Sequence, residues 1–415
     1  MSAGPAFGRP SALRERFAPL LAEIRAGAVE REAERRHPVE EVARLQRAGL
    51  GALRLPVDRG GSGASLAELF ELWIDLAAAD SNIAQAYRQH LFWVELNRIL
   101  LHLDPAAESP GFWVERIAEG DFFGNGTTEP PDSVIGSLAT VLGRDADGEW
   151  RLNGRKIYST GNLFAQWIPV SAVTEDGAAV VVTVPTDRAG VSRQDDWTGF
   201  GQRLTGSGTT VFEGVRVQEG EISPAGGEDD SRHGAGLHQL VLLATIAGIA
   251  QAAAVDVVEL VGARRRVYAT GSGSLPKDDP VIQEAVGRVI AAARTARAIV
   301  ESAARSLEAA WSLWESDADP GVVSERFAAV EIEISAAQVS LIPLVLSATG
   351  EIFDALGASA THRALDLDRH WRNARVLASH NPHLYKARIV GANALTGELP
   401  PKFRAGSDVG LRRDP

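Results

Sequence analysis

Apolar residues recur at three- and four-residue spacings from Ser11 to about Gly120 and again beyond residue 238. This period predicts amphipathic helices in both regions. Between them lie short alternating or β-branched runs bounded by Gly, Asp and Pro, such as WIPVSAVTEDGAAVVVTVPTD. Such runs predict strands, and the Asp-Gly pairs in DADG and EDG predict hairpin turns because they adopt positive φ readily.

These changes in the pattern of apolar and polar residues along the chain predict an α+β multidomain protein. We expect an all-α domain over residues 1–120, a β domain over 121–225, a helical bundle over 226–400 and a tail over 401–415. The bundle should hold three long helices, 238–268, 280–314 and 324–357. Its most apolar stretch, 240–255, is shorter than the ~20 residues of a membrane span, so we expect a buried core helix.

Composition limits the classes of partner and compartment. A formal charge of −12 over 415 residues argues against a nucleic-acid partner, which would need a basic face. The chain contains no cysteine, so no disulfide points to an oxidising compartment. The first twenty residues lack the apolar run of a signal peptide, and the expected location is the cytoplasm, without membrane attachment.

Sulfur is almost absent from the sequence. Met1 is the single methionine, whereas nine tryptophans are present. Methionine and cysteine are oxidisable packing residues, so exposure to an oxidant could select against them. Economy during sulfur shortage could remove them as well, and drift in an Ala- and Arg-rich genome is the third explanation.

Several common active-site motifs are missing. The sequence has no GxxxxGK[ST] phosphate loop, no GxGxxG after a predicted strand and no GxSxG nucleophile elbow. Without cysteine, neither a thiol nucleophile nor a thiolate metal site can form. A nicotinamide site of the Rossmann type is therefore not expected.

The densest cluster of reactive side chains lies in DLDRHWRNARVLASHNPHLYK. Arg369 begins a series of three arginines spaced by three residues, which could gather around a phosphate or a carboxylate on one side of a helix. His380 is either a loop residue bonded to backbone or an acid or base with a pKa near 6.5. A metal site of His380 and His383 with Asp366 or Asp368 lacks the helical spacing of known sites, and we predict no metal.

Three segments carry a resemblance over nearly the whole chain. GNGTTEP from Gly124, DWTGFGQRLTGSGTTVFEGVRV and WRNARVLASHNP resemble the acyl-CoA dehydrogenase fold, with an N-terminal helical domain, a β-barrel-like middle domain and a C-terminal four-helix bundle. The motif RHWRNAR…SHNPxxYK resembles the flavin-dependent monooxygenase branch of dibenzothiophene monooxygenase and dimethyl-sulfone-type sulfur-acquisition enzymes. One departure is Ser359 in LGASAT, where dibenzothiophene monooxygenase has an arginine for the flavin phosphate.

The resemblance implies roles for particular residues of this sequence. Three of these residues also have an ordinary structural explanation: Ser159 as a turn residue, Trp197 as part of the β-domain core, and Arg266 as a solvated helix end. The implied catalytic residues are His380 and Ser159; the implied cofactor-binding residues are Asn125, Thr127, Thr128, Ser159, Thr160, Arg266, Ser359, Arg369 and Asn381, with Arg203 and Ser207 as weaker candidates; the implied substrate-pocket residues are His90 and Trp197.

The implied activity is that of a two-component monooxygenase. Reduced FMN, or FAD, would react with O₂ to a C4a-hydroperoxide and oxygenate a small organosulfur compound. A separate NAD(P)H-dependent flavin reductase would supply the electrons, and a homotetramer built as a dimer of dimers would complete the sites. Three alternatives stay open: an acyl-CoA dehydrogenase with Glu259 as base, an N-oxygenase of an amine, and a non-enzymatic binding protein.

Overall fold

The computed structural model describes residues 5, 7–8, 11–130, 139–225, 230–316, 318–381 and 383–400, with the backbone alone at 230–235. The predicted tail 401–415 and Pro382 of the SHNP motif lie outside the described residues. The N-terminal region is helical, as predicted. Its helices are α1 (Ala12–Ala26), α2 (Ala28–Glu34), α3 (Val39–Arg47), α4 (Leu66–Ala79), α5 (Ser81–Leu103) and α6 (Glu108–Ala118).

Capping residues fix the starts of the two central helices of this region. Ser65 and Glu68 form a reciprocal capping box at the start of α4. Asp80 lies between α4 and α5 and accepts a hydrogen bond from the Asn82 backbone N–H, which starts α5 directly after α4 ends. Residues 81–87 of α5 are all buried, so this part of the helix is packed on every side.

In the described part of the middle region, seven strands form one sheet in the order β5-β6-β2-β1-β3-β4-β7. The predicted turns join β1 to β2 and β3 to β4. The extended segment 122–128 precedes the sheet and lies parallel to β3, to which isolated bridges at Phe123 and Gly126 join it. The strands are β1 (Val141–Arg144), β2 (Trp150–Lys156), β3 (Trp167–Thr174), β4 (Ala179–Pro185), β5 (Val191–Arg193), β6 (Thr210–Arg216) and β7 (Ile222–Pro224).

The C-terminal region is the expected helical bundle, with two short helices packed on three long ones. The predicted ends differ by several residues: the first long helix starts at Asp230 and ends at Ala263, and Asp319 caps the third at Pro320 instead of residue 324. The helices are α7 (Asp230–Ala263), α8 (Pro280–Glu315), α9 (Pro320–Leu356), α10 (Asp368–Ala378) and α11 (His383–Thr396).

The two helical regions share one hydrophobic core. Residues of α4, such as Phe70 and Ile74, join the same buried cluster as Leu243 of α7 and Leu307 of α8. The sheet has a separate core around Val170. Although α7 and α9 are long and apolar enough to cross a membrane, 78% of the apolar window in α7 is buried inside the protein. The prediction of a buried core helix at 240–255 is confirmed.

Candidate active site

Asn162 joins two segments of the β domain, 122–128 and 158–162, which carry separate sequence motifs. Its Oδ1 accepts the Asn125 N–H at 2.6 Å, and its Nδ2 donates to the Asn125 carbonyl at 3.0 Å and to Thr210 Oγ1 at 2.8 Å. Gly124 must be glycine because a Cβ there would lie 2.0 Å from Asn162 Oδ1. Buried amides with both ends bonded hold loops rigidly, so segment 122–128 and the turn at 158–162 form one unit.

The turn after β2 presents its polar groups beside Asn125. Tyr158 has a left-handed φ of 52°, and its carbonyl accepts a hydrogen bond from Asn125 Nδ2 at 3.2 Å. Thr127 Oγ1 donates to Asn125 Oδ1 at 2.9 Å. Thr160 Oγ1 lies 2.7 Å from Ser207 Oγ. The sequence-predicted residues Asn125, Thr127 and Thr160 are therefore brought together, and Thr128 is attached to the same turn because its carbonyl accepts the Ile157 N–H at 2.9 Å.

Ser159 has the most informative hydroxyl of this turn. The residue is 1% exposed, and among the described residues its Oγ has no hydrogen-bond partner. A buried hydroxyl without a partner costs about 1–3 kcal/mol, so its presence calls for a ligand or a functional reason. Trp197 lies at the edge of the same turn, with its ring 5.9 Å from that of Tyr158.

A second polar cluster lies where α5 and α7 meet the end of α10. Arg88 of α5 donates from Nη1 to His380 Nε2 at 2.9 Å and from Nη2 to His238 Nδ1 of α7 at 3.5 Å. Asn381 donates from Nδ2 to Gln239 Oε1 at 3.0 Å. We call Arg88, His238 and His380 the arginine–histidine cluster.

Helix α5 connects this cluster to the turn at 158–162, which we call the serine turn after Ser159. Gly161 has a φ of 85° and lies so close to α5 that a Cβ would be 2.9 Å from the Ala86 carbonyl oxygen and 3.1 Å from the Phe122 ring. The Tyr87 ring packs on Phe122 with a centroid distance of 4.7 Å. Ala86 and Arg88 belong to one turn of α5, so a single helical turn carries contacts to both polar groups.

Electrostatics keep the two imidazoles of the cluster neutral. His380 is exposed at the surface of the chain. The positive charge of Arg88, followed by partial desolvation of the ring among its neighbours, lowers the pKa of His380 to about 3, against a raising hydrogen bond with Asn381. Burial, followed by Arg88 and His380, lowers the pKa of His238 well below its ordinary value. Because a guanidinium only donates, the facing nitrogens accept, and the ring protons are on His380 Nδ1 and His238 Nε2.

Two predicted phosphate-binding residues lie at the other end of the bundle. Arg266 follows the end of α7, and Ser359 follows the end of α9; both are exposed. Their segments are adjacent because Arg264 donates to the Leu356 carbonyl. His238 and the end of α7 are 25 residues apart in this helix, which places this end about 37 Å along the axis from the arginine–histidine cluster.

Arg369 is also far from the cluster along α7. Its Nη2 forms an ion pair with Asp256 Oδ2 at 2.6 Å, and His370 Nε2 lies 2.9 Å from the same oxygen. Burial raises the pKa of Asp256, but His370, Arg369 and Arg25 together hold it below its ordinary value. Arg369 and Arg372 therefore have carboxylate partners within the chain, whereas Arg375 donates to Ser379 Oγ at 3.1 Å.

His90 is integrated into the core instead of facing an open pocket. It is 2% exposed, its Nδ1 accepts the Phe123 N–H at 3.2 Å, and its Nε2 lies 3.1 Å from the Gly51 carbonyl oxygen. Burial lowers the pKa of His90 to about 4, against the hydrogen bond to Gly51. These contacts position segment 122–128 against α5, so His90 is not part of the proposed substrate pocket.

Glu259, the alternative base, is paired at the surface. Its carboxylate binds Arg25 at 2.8 Å, and its side chain is 55% exposed. It lies 20 residues along α7 from Gln239, about 30 Å away. Glu259 is therefore bound to Arg25 and lies far along α7 from the arginine–histidine cluster.

Sequence reasoning missed Arg88, His238 and Asn162. Arg88 lies two residues before His90, and Asn162 three residues after Ser159, so both were inside segments already singled out. A charged residue in the buried first half of α5 was the available signal for Arg88. His238 had no signal, because its neighbours come from α5 and α10.

Comparison with known proteins agrees with this architecture. Residues 126–215 match the family model "Acyl-CoA dehydrogenase, middle domain", and residues 240–384 match "Acyl-CoA dehydrogenase, C-terminal domain". The chain belongs to the acyl-CoA dehydrogenase-fold family, in its flavin-dependent monooxygenase branch.

Relatives match along almost their full lengths. The solved structure of methanesulfinate monooxygenase MsuC from Pseudomonas fluorescens is 30% identical, with a TM-score of 0.83 over 95% of this chain and 99% of that chain. "Probable FMNH2-dependent monooxygenase SfnC" of Pseudomonas putida is 29% identical, over 92% of this chain and 95% of its own. Dibenzothiophene monooxygenase of Rhodococcus qingshengii is 28% identical, over 92% of each chain.

Proposed function

We propose that this protein is a two-component monooxygenase that uses reduced FMN and O₂ to oxygenate a small organosulfur compound. The observation that carries the proposal is the Ser159 hydroxyl, which is buried and without a partner among the described residues. It sits in a cradle of amide and hydroxyl groups, the kind of donors and acceptors that the polar edge of a flavin ring requires. The named activities of the relatives agree with this assignment.

When bound, reduced FMN supplies the two electrons that place one atom of O₂ in the substrate and the other in water. Asn125, Thr127, Thr128 and Thr160 would hold the ring through the hydrogen-bonded unit that Asn162 fixes. Ser159 would give the ring a hydrogen bond that its Oγ does not make within the protein. Trp197 would close the edge of the pocket beside Tyr158.

His380 would act as a neutral hydrogen-bond donor. Arg88 occupies its Nε2, so the available N–H is on Nδ1. Its low pKa keeps the ring neutral at the pH of the cell. One positioned hydrogen-bond donor of this kind contributes on the order of 10²–10³-fold to a rate. Asn381 would hold the loop of His380 through Gln239.

A second copy of the chain would complete each flavin site. The segments of Arg266 and Ser359 are adjacent to each other but about 37 Å from the arginine–histidine cluster along α7. One chain therefore cannot bring this phosphate-binding pair and its own arginine–histidine cluster to the same FMN. We therefore propose a homotetramer, a dimer of dimers, in which these residues bind the phosphate of a neighbour's FMN. Arg369 keeps a supporting role, because Asp256 already binds it.

The sequence supports the proposed electron source and substrate class. No nicotinamide motif is present, so a separate NAD(P)H-dependent flavin reductase in the cytoplasm would deliver the reduced FMN. The depletion of sulfur extends over surface helices far from the serine turn, which supports synthesis during sulfur shortage. That physiology fits an enzyme that releases sulfur from small compounds.

The direct test combines the protein with FMN, NADH, a flavin reductase and a substrate panel. The panel contains methanesulfinate, dimethyl sulfone, dibenzothiophene, a primary amine and an acyl-CoA. We expect oxygenation of at least one sulfur compound and no anaerobic bleaching of bound flavin by the acyl-CoA. Oxygenation of the amine alone would assign the site to N-oxygenation, and anaerobic bleaching would assign it to dehydrogenation.

A further inference from the structure

The loop between β5 and β6, residues 194–209, is attached directly to helix α10. The Gln202 backbone N–H donates to Asn373 Oδ1 at 2.6 Å. A Cβ on Gly201 would lie 2.9 Å from the Asn373 backbone nitrogen and closer still to the Arg372 carbonyl oxygen. The backbones of the loop and the helix are therefore in contact here, with no room for a further side chain.

Both sides of this junction lead to residues of the proposed site. On the loop side, Trp197 Nε1 donates to the Gly201 carbonyl at 3.1 Å, so the residue that touches α10 also holds the indole ring. On the helix side, His380 follows Asn373 by seven positions. Its N–H donates to the Leu377 carbonyl at 3.1 Å, which continues the last turn of α10 as far as His380.

Buried and stacked side chains keep the junction closed. Gln202 and Asn373 are 3% and 4% exposed, so the Gln202 N–H has no ready acceptor in water. On the exposed side, the rings of Phe200 and Trp371 stack with a centroid distance of 6.0 Å, and Arg372 Nη1 donates to the Phe200 carbonyl at 3.0 Å. Gln202 has a left-handed φ of 52°, a conformation that persists only where its surroundings fix it.

We infer that Asn373 is a positioning residue that fixes Trp197 relative to His380 and so restricts the proposed pocket to small sulfur compounds. The inference rests on the proposed function and adds the residue that sets the width of its pocket. Two sides joined by a buried hydrogen bond and a backbone contact do not yield to a larger ligand. Gln202 Nε2 also donates to Ser81 Oγ at 3.1 Å, which holds the side chain to α5 and leaves the backbone contact with α10 to Asn373.

The test compares three variants of the junction with wild type. Asn373→Ala removes the acceptor, and Gly201→Ala forces the loop away from α10. Asn373→Asp keeps an oxygen acceptor and should restore the wild-type behaviour even where its buried charge lowers stability. The matched control is Asn97→Ala, which changes a buried asparagine of α5 whose Nδ2 donates to the Trp93 carbonyl at 2.8 Å.

The activity readout is the ratio of kcat/KM for dibenzothiophene to that for the small sulfur compound that wild type oxygenates best. We expect Asn373→Ala and Gly201→Ala to raise this ratio and the KM for the small compound by about three- to tenfold, below the ~10²-fold cost of a 1 Å misplacement. Affinity for FMN should stay as in wild type, because Asn162 fixes the serine turn independently. Asn373→Asp and Asn97→Ala should leave the ratio unchanged.

Hydrogen–deuterium exchange of residues 194–209 gives a readout without catalysis. Exchange should be faster in Asn373→Ala and Gly201→Ala than in wild type, Asn373→Asp and Asn97→Ala. Wild-type exchange in both freed variants, or equal losses with both substrates and an unchanged ratio, would overturn the inference and leave the proposed function standing. If wild type binds FMN but oxygenates no sulfur compound, the proposed function fails and the size selection fails with it.

Discussion

The Arg88 guanidinium lies 2.9 Å from Nε2 of His380 and determines both the charge and the tautomer of that ring. Removing the guanidinium removes the largest cause of the low pKa of His380. In Arg88→Gln we therefore expect this pKa to rise from about 3 toward its ordinary value of ~6.5. Imidazole chemical shifts measured over pH 4–8 would show the change.

The same substitution should alter the pH dependence of oxygenation. In wild type His380 stays neutral above about pH 4, so it contributes no acidic limb between pH 5 and 8. In Arg88→Gln the ring gains a proton as the pH falls through its raised pKa, so the rate with a fixed supply of reduced FMN should change with pH near 6, where the wild-type rate does not. The control is Arg59→Gln, which changes an exposed arginine of the N-terminal region. An unchanged profile in Arg88→Gln would show that the charge of His380 does not matter.

Substitution of Ser159 should lower the activity without lowering the stability of the protein. Its hydroxyl has no partner among the described residues, so Ser159→Ala removes a buried unsatisfied group and should leave the free energy of unfolding unchanged or slightly higher. Oxygenation should nevertheless fall by about tenfold, the value of one hydrogen bond to the cofactor. The urea midpoint and the coupled rate are measured together. A less stable variant with full activity would assign Ser159 a structural role only.

Asn162 should behave in the opposite way. In Asn162→Ala the backbone N–H and carbonyl of Asn125 both lose their partner, which should lower the free energy of unfolding by about 2–4 kcal/mol. FMN binding should weaken as well, because the segment that carries Asn125 is no longer fixed. The matched control is Asn153→Ala in β2, where an exposed side chain accepts one backbone N–H from Gly214. Equal losses in the two variants would contradict the special position of Asn162.

His90 should make the protein sensitive to acid. Its pKa is about 4 in the folded protein and ~6.5 in the unfolded chain, so the unfolded chain binds the proton first. The stability that the neutral ring contributes is fully present above pH 6.5 and is lost as the pH falls toward 4, up to about 3 kcal/mol. In His90→Gln the decline of the urea midpoint between pH 6.5 and 4.5 should be smaller than in wild type. An equally steep decline would assign the acid sensitivity to His238 or His370.

The fold was predictable because local pattern determines most of it. Asp-Gly pairs mark the hairpins, and apolar periodicity marks the long helices. Helix starts were less predictable, since the cap at Asp319 lies before the first periodic residues of α9. The serine turn was predictable only through family motifs, because nothing local distinguishes Ser159 from another turn residue.

The contacts of the site could not be read from the sequence, because they join distant segments. Arg88 and His380 are separated by 292 positions, and Asp256 and Arg369 by 113. The spacing of the arginines in α10 suggested a ligand, yet the partner of Arg369 is a carboxylate of α7. Helical periodicity gives the face on which a residue lies, whereas its partner depends on the packing of other helices.

The central claim is that the serine turn and His380 serve oxygenation with reduced FMN. Its most direct test supplies ¹⁸O₂ to the reductase-coupled reaction and measures the mass of the product from methanesulfinate or dimethyl sulfone. We predict that one ¹⁸O atom is incorporated per turnover, with a rate that falls by about 10²-fold or more in His380→Ala. A product without the label, or reduced FMN consumed only to hydrogen peroxide with every sulfur compound, would contradict the account.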